Sequence, residues 1–385
     1  MGTKIKGQAT AAAKIQVWAA SAGRCAICKR YLAESSDTGQ PVLIGEVAHI
    51  AGTSDGKGSP RGSSAIPVSD RGKPENLVLL CRDAHKTIDT PEFWDAYPEG
   101  ELRRIKRTHE HQMKQLSGLS PNNKSAVLRI NGTVRGATKS ITKSSVTWAL
   151  LRSGNFPDFS LERDRDYEID LREVPGETEG SEEYFRSALH HVRSRIEELN
   201  SLVKQDEIAS VSVFAFARIP ILIAAGTMLD DKIRADFYPA TRGSEQAWGW
   251  DENANIEEFS ITKQGGSESA VLVALGISGT VDMARMPSEL TGATTYCVVP
   301  SGARPNPEII SRNETLDNFS ATWREVLALI ERDHPEAVSI AVVGALPLTA
   351  ALSVGRHRMR DAQLPLRVYD LPVGGSNYVF QVEVS

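Results

Sequence analysis

The chain has 385 residues, 41% hydrophobic and 24% charged, with a formal net charge of −5. That size allows two or three domains, each with its own core, and the composition is that of a soluble globular protein, not of a disordered chain. The charge is unevenly divided: 17 basic against 13 acidic residues up to position 123, net +4, leave 27 against 36, net −9, for the remainder, so only the N-terminal part has a balance suited to a polyanion.

The opening MGTKIKGQATAAAK has no apolar stretch before a cleavage site, which predicts a chain without a signal peptide. The longest apolar runs, near residues 211–225 and 338–351, are interrupted by Ser, Arg, Pro or Thr and are too mixed to span a bilayer. A cytoplasmic location, with no membrane partner, is the expectation. Cysteines in that compartment are metal ligands or inert thiols more often than disulfides.

Cys25 and Cys28 form a C-x-x-C knuckle in RCAIC, a spacing that lets two thiolates reach one tetrahedral Zn²⁺. The βαβ context of redox C-x-x-C motifs is missing. EVAHI then places His49 at the end of a short apolar strand, followed by a Gly/Ser-rich, weakly basic loop, AGTSDGKGSPRGSS, expected to be flexible. RGKPENLVLLCRDAHKTID supplies Arg71, Asn76, Cys81 and His85.

A strand carrying His, a loop carrying Asn and a helix carrying His, held by thiolates, resembles the HNH (ββα-metal) nuclease finger over roughly residues 15–115. The resemblance implies a metal-dependent endonuclease acting on double-stranded DNA. His49 would be the general base, Asn76 would hold the loop that orients His49, and His85 would ligate a catalytic Mg²⁺ or Mn²⁺. Cys25, Cys28 and Cys81 would hold a structural Zn²⁺. Imidazole suits the deprotonation of water near neutral pH, and a divalent cation stabilises charge on the scissile phosphate.

Two positions depart from the pattern. Ala48 stands where many such fingers carry an acidic or His metal ligand, so the second ligand of the catalytic cation is not evident. Ala84 stands three residues after Cys81, at the usual fourth Zn²⁺ ligand. A water, Asp83 or His85 would have to complete the set, and an impaired or inactivated nuclease is one expectation.

Beyond His85, Asp89 or Thr90 is expected to cap a helix with Pro91 in its first turn. Residues 99–116 read as a helix with a basic face of Arg103, Arg104, Lys106, Arg107 and Lys114, suited to phosphates or simply solvated. No base-reading motif is evident, so little sequence specificity is expected. The N-terminal domain is placed at residues 1–116 and a linker at residues 117–125.

Residues 126–385 alternate β-like runs with helical ones, an α/β pattern. VSVFAFARIPILIAAG from Val211 and VSIAVVGALPLTAALSVG from Val338 echo each other: Val-Ser, an apolar strand, Pro nine residues on (Pro220, Pro347), and an Ala-rich run closing in Gly. Each follows an amphipathic helix, near 184–203 and 318–333, and precedes another strand. Two Rossmann-like halves, about 126–265 and 266–385, are predicted.

Such a pair resembles the SAVED domain, two fused CARF-like units that sense cyclic oligonucleotides. HNH followed by SAVED resembles the effector nucleases of CBASS anti-phage immunity. The resemblance implies an activating cyclic oligonucleotide, with a cyclic dinucleotide such as cGAMP favoured over a cyclic trinucleotide. It also implies a homo-oligomer, dimer or tetramer, on ligand binding. No P-loop and no G-x-G-x-x-G after a strand is present.

Candidate ligand contacts are Arg218, Lys232, Arg242, Trp248 and Trp250 in the first half, and Arg304, Arg356 and Tyr369 in the second. Guanidinium and ammonium groups suit phosphates, and aromatic rings suit bases. Cys297 reads as an inert strand thiol. Two other readings stay open: a sensor whose finger is only structural, and a restriction-type HNH enzyme with a DNA-recognising C-terminal domain. The acidic balance of the C-terminal part opposes the latter.

Overall fold

The structure, a computed structural model, describes residues 7–35, 38–56, 58–158, 166–174, 180–205, 208–229, 232–241, 248–360 and 362–385. The chain divides into two compact units, Met1–Leu119 and Ser120–Ser385. Among the described residues no helix is long and apolar enough to cross a membrane.

In the first unit Thr10 caps α1 (Ala11–Ala20), its hydroxyl accepting the Ala13 N–H. β1 (Gly45–His49) pairs antiparallel with β2 (Leu77–Cys81), Gly45 opposite Cys81 and His49 opposite Leu77. All of β2 is buried, as its unbroken LVLLC run requires. Cys81 ends β2 and is the N-cap of α2 (Arg82–Asp89), its sulfur accepting the Ala84 N–H. α3 (Glu99–Ser117) completes a small core of Val17, Leu32, Ile50, Leu79, Leu80, Ile88 and Leu102.

Two expectations are corrected here. The helix predicted from Asp89 or Thr90 is a single 3₁₀ turn, Pro91–Phe93, and Asp89 instead closes α2. The glycine-rich loop is pinned. Arg71, 0% exposed, donates to the carbonyls of Ile66, Gly52, Ser54 and Gly62 at 2.9–3.1 Å and pairs with Asp55 at 2.5 Å. A buried guanidinium with five N–H donors in a rigid fork is stable only when such acceptors surround it.

The second unit opens with β3 (Lys124–Asn131), a hairpin of β4 (Thr133–Val134) and β5 (Ala137–Thr138), α4 (Lys143–Arg152), β6 (Phe156–Pro157) and β7 (Asp166–Asp170). There follow α5 (Glu182–Lys204), β8 (Ser210–Phe216), α6 (Ile219–Met228) and β9 (Arg234–Tyr238). β3 runs parallel to β6, β7 and β8, and β8 parallel to β9.

Next come β10 (Phe259–Gln264), β11 (Ser267–Gly276), β12 (Ala293–Pro300), α7 (Asn313–Asp333), β13 (Ile340–Ala345), α8 (Leu348–Arg356), β14 (Leu366–Asp370) and β15 (Val379–Val384). They build a second sheet ordered β10-β12-β11-β13-β14-β15. Its inner pairs are parallel and its edge strands antiparallel. Because β10 belongs to this sheet, the second half begins before residue 259 and not at 266.

The sequence echo is a structural one. Helix, strand, helix, strand appear as α5-β8-α6-β9 and again as α7-β13-α8-β14. The glycines that close the two echoing runs let α6 and α8 touch. A Cβ on Gly226 would lie 2.1 Å from the Leu352 carbonyl oxygen, and one on Gly355 would lie 1.9 Å from that of Ile223. Thr227 secures the crossing by donating its hydroxyl to Gly355 O at 3.1 Å.

Candidate functional site

The first unit gathers its chemistry around the ββα arrangement. The ligand atoms of Cys25, Cys28 and Cys81 lie within 4.8 Å of one another, and Cys28 Sγ is 3.7 Å from Cys81 Sγ. Four sulfurs at 2.3 Å from Zn²⁺ would stand about 3.8 Å apart along a tetrahedral edge, so the thiols fit the metal. The knuckle turns at Lys29, φ +64°, whose N–H bonds Cys25 O at 3.0 Å while Cys25 N–H bonds Arg30 O at 2.9 Å.

Burial opposes the Cys25 thiolate, but the N–H groups of Cys28, Cys81 and Ile27 outweigh it and hold that thiol below its ordinary value. Burial pushes the Cys81 thiol up to about 11. Lys29 Nζ carries its charge beside both knuckle thiols and donates to Ala26 O at 2.9 Å and His109 Nδ1 at 3.0 Å.

Among the described residues no fourth His, Cys, Asp or Glu joins the three sulfurs. His85 is turned away to Glu46 and Asp89, so it is not recruited, and neither is Asp83. The Ala84 N–H lies 3.4 Å from Cys81 Sγ, which puts this side chain's position beside the cluster.

His49 ends β1. Its Nε2 donates to Gly7 O at 3.0 Å, which fixes the tautomer and leaves Nδ1 as the basic nitrogen. Burial lowers its pKa, with the charge of Asp89 acting against that and His85 with it. The imidazole is therefore neutral at neutral pH. Asn76, 1% exposed, donates to Ala51 O and Arg71 O and accepts the Ala51 N–H, each at 2.9 Å. It thereby grips the chain two residues beyond His49.

His85 Nδ1 lies 2.7 Å from Glu46 Oε2 and Nε2 lies 3.2 Å from Asp89 Oδ2. The Asp89 hydrogen bond, aided by Glu46, raises its pKa despite burial. Ala48 is buried at 1% exposure and serves the core.

The basic face of α3 is largely spent within its own helix. Arg103 pairs with Glu99 at 2.9 Å, Arg104 with Glu101 at 2.6 Å, and Lys106, itself buried, with Glu110. Arg107 and Lys114 remain exposed.

In the second unit a cavity of about 710 Å³ opens where strands of both sheets end. Phe216 at the end of β8, Pro239–Thr241 after β9, Ser278 after β11, Leu346 and Pro347 between β13 and α8, and Leu348 and Thr349 in the first turn of α8 line it. Crevices beyond the carboxyl ends of parallel strands are the usual ligand sites of open α/β sheets. Trp248 and Trp250, two of the candidate ligand contacts, also line it. Trp248 is 1% exposed, sets its ring edge-on to Phe214 and donates Nε1 to Ser140 O at 3.4 Å. Trp250 is half-buried and packs against the main core.

The remaining candidates stand elsewhere. Arg218, 4% exposed, pairs with Asp370 at 3.2 Å. Arg356 donates to Leu229 O at 3.1 Å and Ile233 O at 2.6 Å, tying α8 to the end of α6. Tyr369 is 2% exposed and edge-on to Phe380. Lys232 and Arg304 are exposed. None of these five lines the cavity, and Arg242 lies outside the described residues. Cys297 sits in β12, where burial raises its pKa and keeps it a thiol.

Sequence reasoning missed the cavity's own polar groups. Lys139 lies 5.8 Å from the Trp248 ring centroid and donates to Thr241 O. Arg152 donates to Trp248 O at 2.7 Å. α8 presents its first turn to the cavity with Pro347 as N-cap and no side-chain cap, so its leading N–H groups are available to an anion. Thr349 in that turn is 2% exposed, and its hydroxyl has no hydrogen-bond partner among the described residues. The Pro347 turn was the available signal, since Pro before an Ala-rich run marks a helix start.

Two Rossmann-like halves with a cleft at their strand ends define an α/β ligand-binding domain. Residues 192–384 match SAVED, the SMODS-associated and fused to various effectors sensor domain. The chain belongs to that family.

Among solved structures it is similar to the Acinetobacter baumannii Cap4 SAVED/CARF-domain containing receptor with the cyclic trinucleotide 2'3'3'-cAAA. That match has 12% identity and a TM-score of 0.44, over 76% of this chain and 60% of that one. It is also similar to the Moraxella osloensis Cap4 receptor, with 11% identity and a TM-score of 0.40, over 77% of this chain and 66% of that one. The chain thus spans about 60% of the length of the first of these receptors. No curated protein matches it.

Proposed function

We propose that the chain is a cyclic-oligonucleotide-gated DNA endonuclease of the CBASS type. The second unit senses the messenger and the first unit is an HNH finger that cuts double-stranded DNA with little sequence preference. The observation that carries this reading is the pairing, in one chain, of SAVED membership with a ββα unit in which His49 and His85 both feel the charge of Asp89, Asn76 grips the His49 segment, and three thiols lie at zinc-site spacing.

In the sensor, messenger phosphates meet the first turn of α8, the Thr349 hydroxyl, Lys139 and Arg152, and a base stacks on Trp250. A cyclic dinucleotide is the first candidate and a cyclic trinucleotide the second. In the finger, His49 Nδ1 takes the proton of a water as its oxygen bonds to phosphorus and one P–O ester bond breaks. His85 would hold a divalent cation, which would supply charge neutralisation on the phosphate. Asn76 keeps the His49 segment in place. Cys25, Cys28 and Cys81 would hold a Zn²⁺, which would tie the knuckle to the start of α2.

Ligand binding favours a homo-oligomer, dimer or tetramer, in which two fingers address both strands, in the cytoplasm. The coupling requires that the messenger prefer the assembled state. Titration calorimetry with a panel of cyclic di- and trinucleotides tests the sensor. One messenger should bind stoichiometrically, with light scattering showing a larger species, and Trp250→Ala should weaken binding about tenfold, as expected for one lost stacking contact. Binding by no member of the panel would overturn the reading.

A further inference from the structure

The residue usually expected to share the catalytic cation with His85 is replaced by Ala48, which is buried. We propose that Glu46, three positions before His49, is the carboxylate ligand of that cation. This rests on the reading of the first unit as a metal-dependent nuclease. Glu46 reaches from β1 across to α2, where its Oε2 lies 2.7 Å from His85 Nδ1. Two donors bound cis to an octahedral cation at 2.0–2.1 Å stand about 3 Å apart, so the pair opens by a few tenths of an ångström to admit one. Glu46 is 45% exposed, which leaves room for water ligands and a substrate phosphate.

The second carboxylate has a different task. Asp89 Oδ2 lies 3.2 Å from His85 Nε2, while its Oδ1 is held 2.7 Å from Arg61 Nη2. Arg61 is itself fixed, 6% exposed, donating to Ile50 O at 2.5 Å and Ile88 O at 2.6 Å. A guanidinium anchored there repels a cation from Asp89. Asp89 therefore accepts the Nε2–H and turns the Nδ1 lone pair toward Glu46, the carboxylate–histidine–metal arrangement. Glu46 is a ligand and Asp89 a positioning residue.

The test is Mn²⁺ binding to the full chain, followed by titration calorimetry and Mn²⁺ electron paramagnetic resonance, with zinc content checked in every variant. The component of binding lost in His85→Ala defines the site. Glu46→Gln should remove that component or weaken it at least tenfold. Asp89→Asn should keep it within about tenfold, the lower end of the range for an outer-shell partner. Retention of the His85-dependent component in Glu46→Gln, or its loss in Asp89→Asn alone, overturns the assignment while leaving the nuclease reading intact. Absence of any His85-dependent component in the unmodified chain overturns both.

Discussion

The first unit buries a guanidinium, Arg71, and an amide, Asn76, where the second unit closes its interior with two glycines, Gly226 and Gly355. In the first, order in a long loop depends on side-chain hydrogen bonds to carbonyls and on three thiols drawn to one point. In the second, it depends on apolar strands and on helices close enough that a methyl group would not fit. A small unit with a small core leans on such staples most, whereas the second unit adds buried guanidiniums of its own, Arg218 and Arg358, to a far larger apolar core. The two should therefore respond differently to the same insults.

The largest effect expected is from zinc removal. Structural Zn²⁺ contributes on the order of 10 kcal/mol to small fingers, so a chelator, or Cys81→Ser, should unfold the first unit. Differential scanning calorimetry should show that transition move while the second unit's stays. Ala84→His should act the other way, raising zinc affinity about tenfold, because residue 84 sits beside the Cys81 sulfur. The next effect falls on the second unit alone. Gly355→Ala forces α6 and α8 apart and should cost about 3 kcal/mol by urea denaturation.

Acid separates the units again. His357, at the end of α8, is held neutral by burial with the help of Arg324 and Arg356, its pKa lowered to about 4. The unfolded chain protonates near 6.5, so stability from this group is complete above that pH and is lost as pH falls toward 4. The loss approaches roughly 3 kcal/mol, and His357→Gln should remove that slope from the second unit's unfolding. The smallest effect on folding is expected from Thr349→Val. Its hydroxyl has no partner among the described residues, so stability should stay within about 0.5 kcal/mol, while messenger affinity falls about tenfold, one charge-assisted hydrogen bond.

What could be read from the sequence follows the reach of each signal. Strand β1, the knuckle and the Val-Ser…Pro…Gly echo are local patterns, and each appears in the fold at its predicted place. β10 was assigned to the wrong half because its partner β12 lies some thirty residues on and pairing is non-local. Arg218 and Arg356 were chosen as phosphate ligands for their chemistry, yet that same fork satisfies a carboxylate and two carbonyls inside the protein. Arg71 anchors the loop through carbonyls of residues 52, 54 and 62, a burial that no local pattern around it signals. The cavity's Lys139, Arg152 and Thr349 come from a strand end, a helix end and a helix start, which only tertiary structure brings together.

The most direct test of the account is degradation of supercoiled plasmid with Mg²⁺ across a panel of cyclic di- and trinucleotides, on this chain and on His49→Ala. The account predicts cutting by the unmodified chain with one messenger only, none without it, and none by His49→Ala at the same messenger occupancy. Cutting that ignores the messenger, or no cutting by a chain that binds its messenger and its zinc, would contradict it.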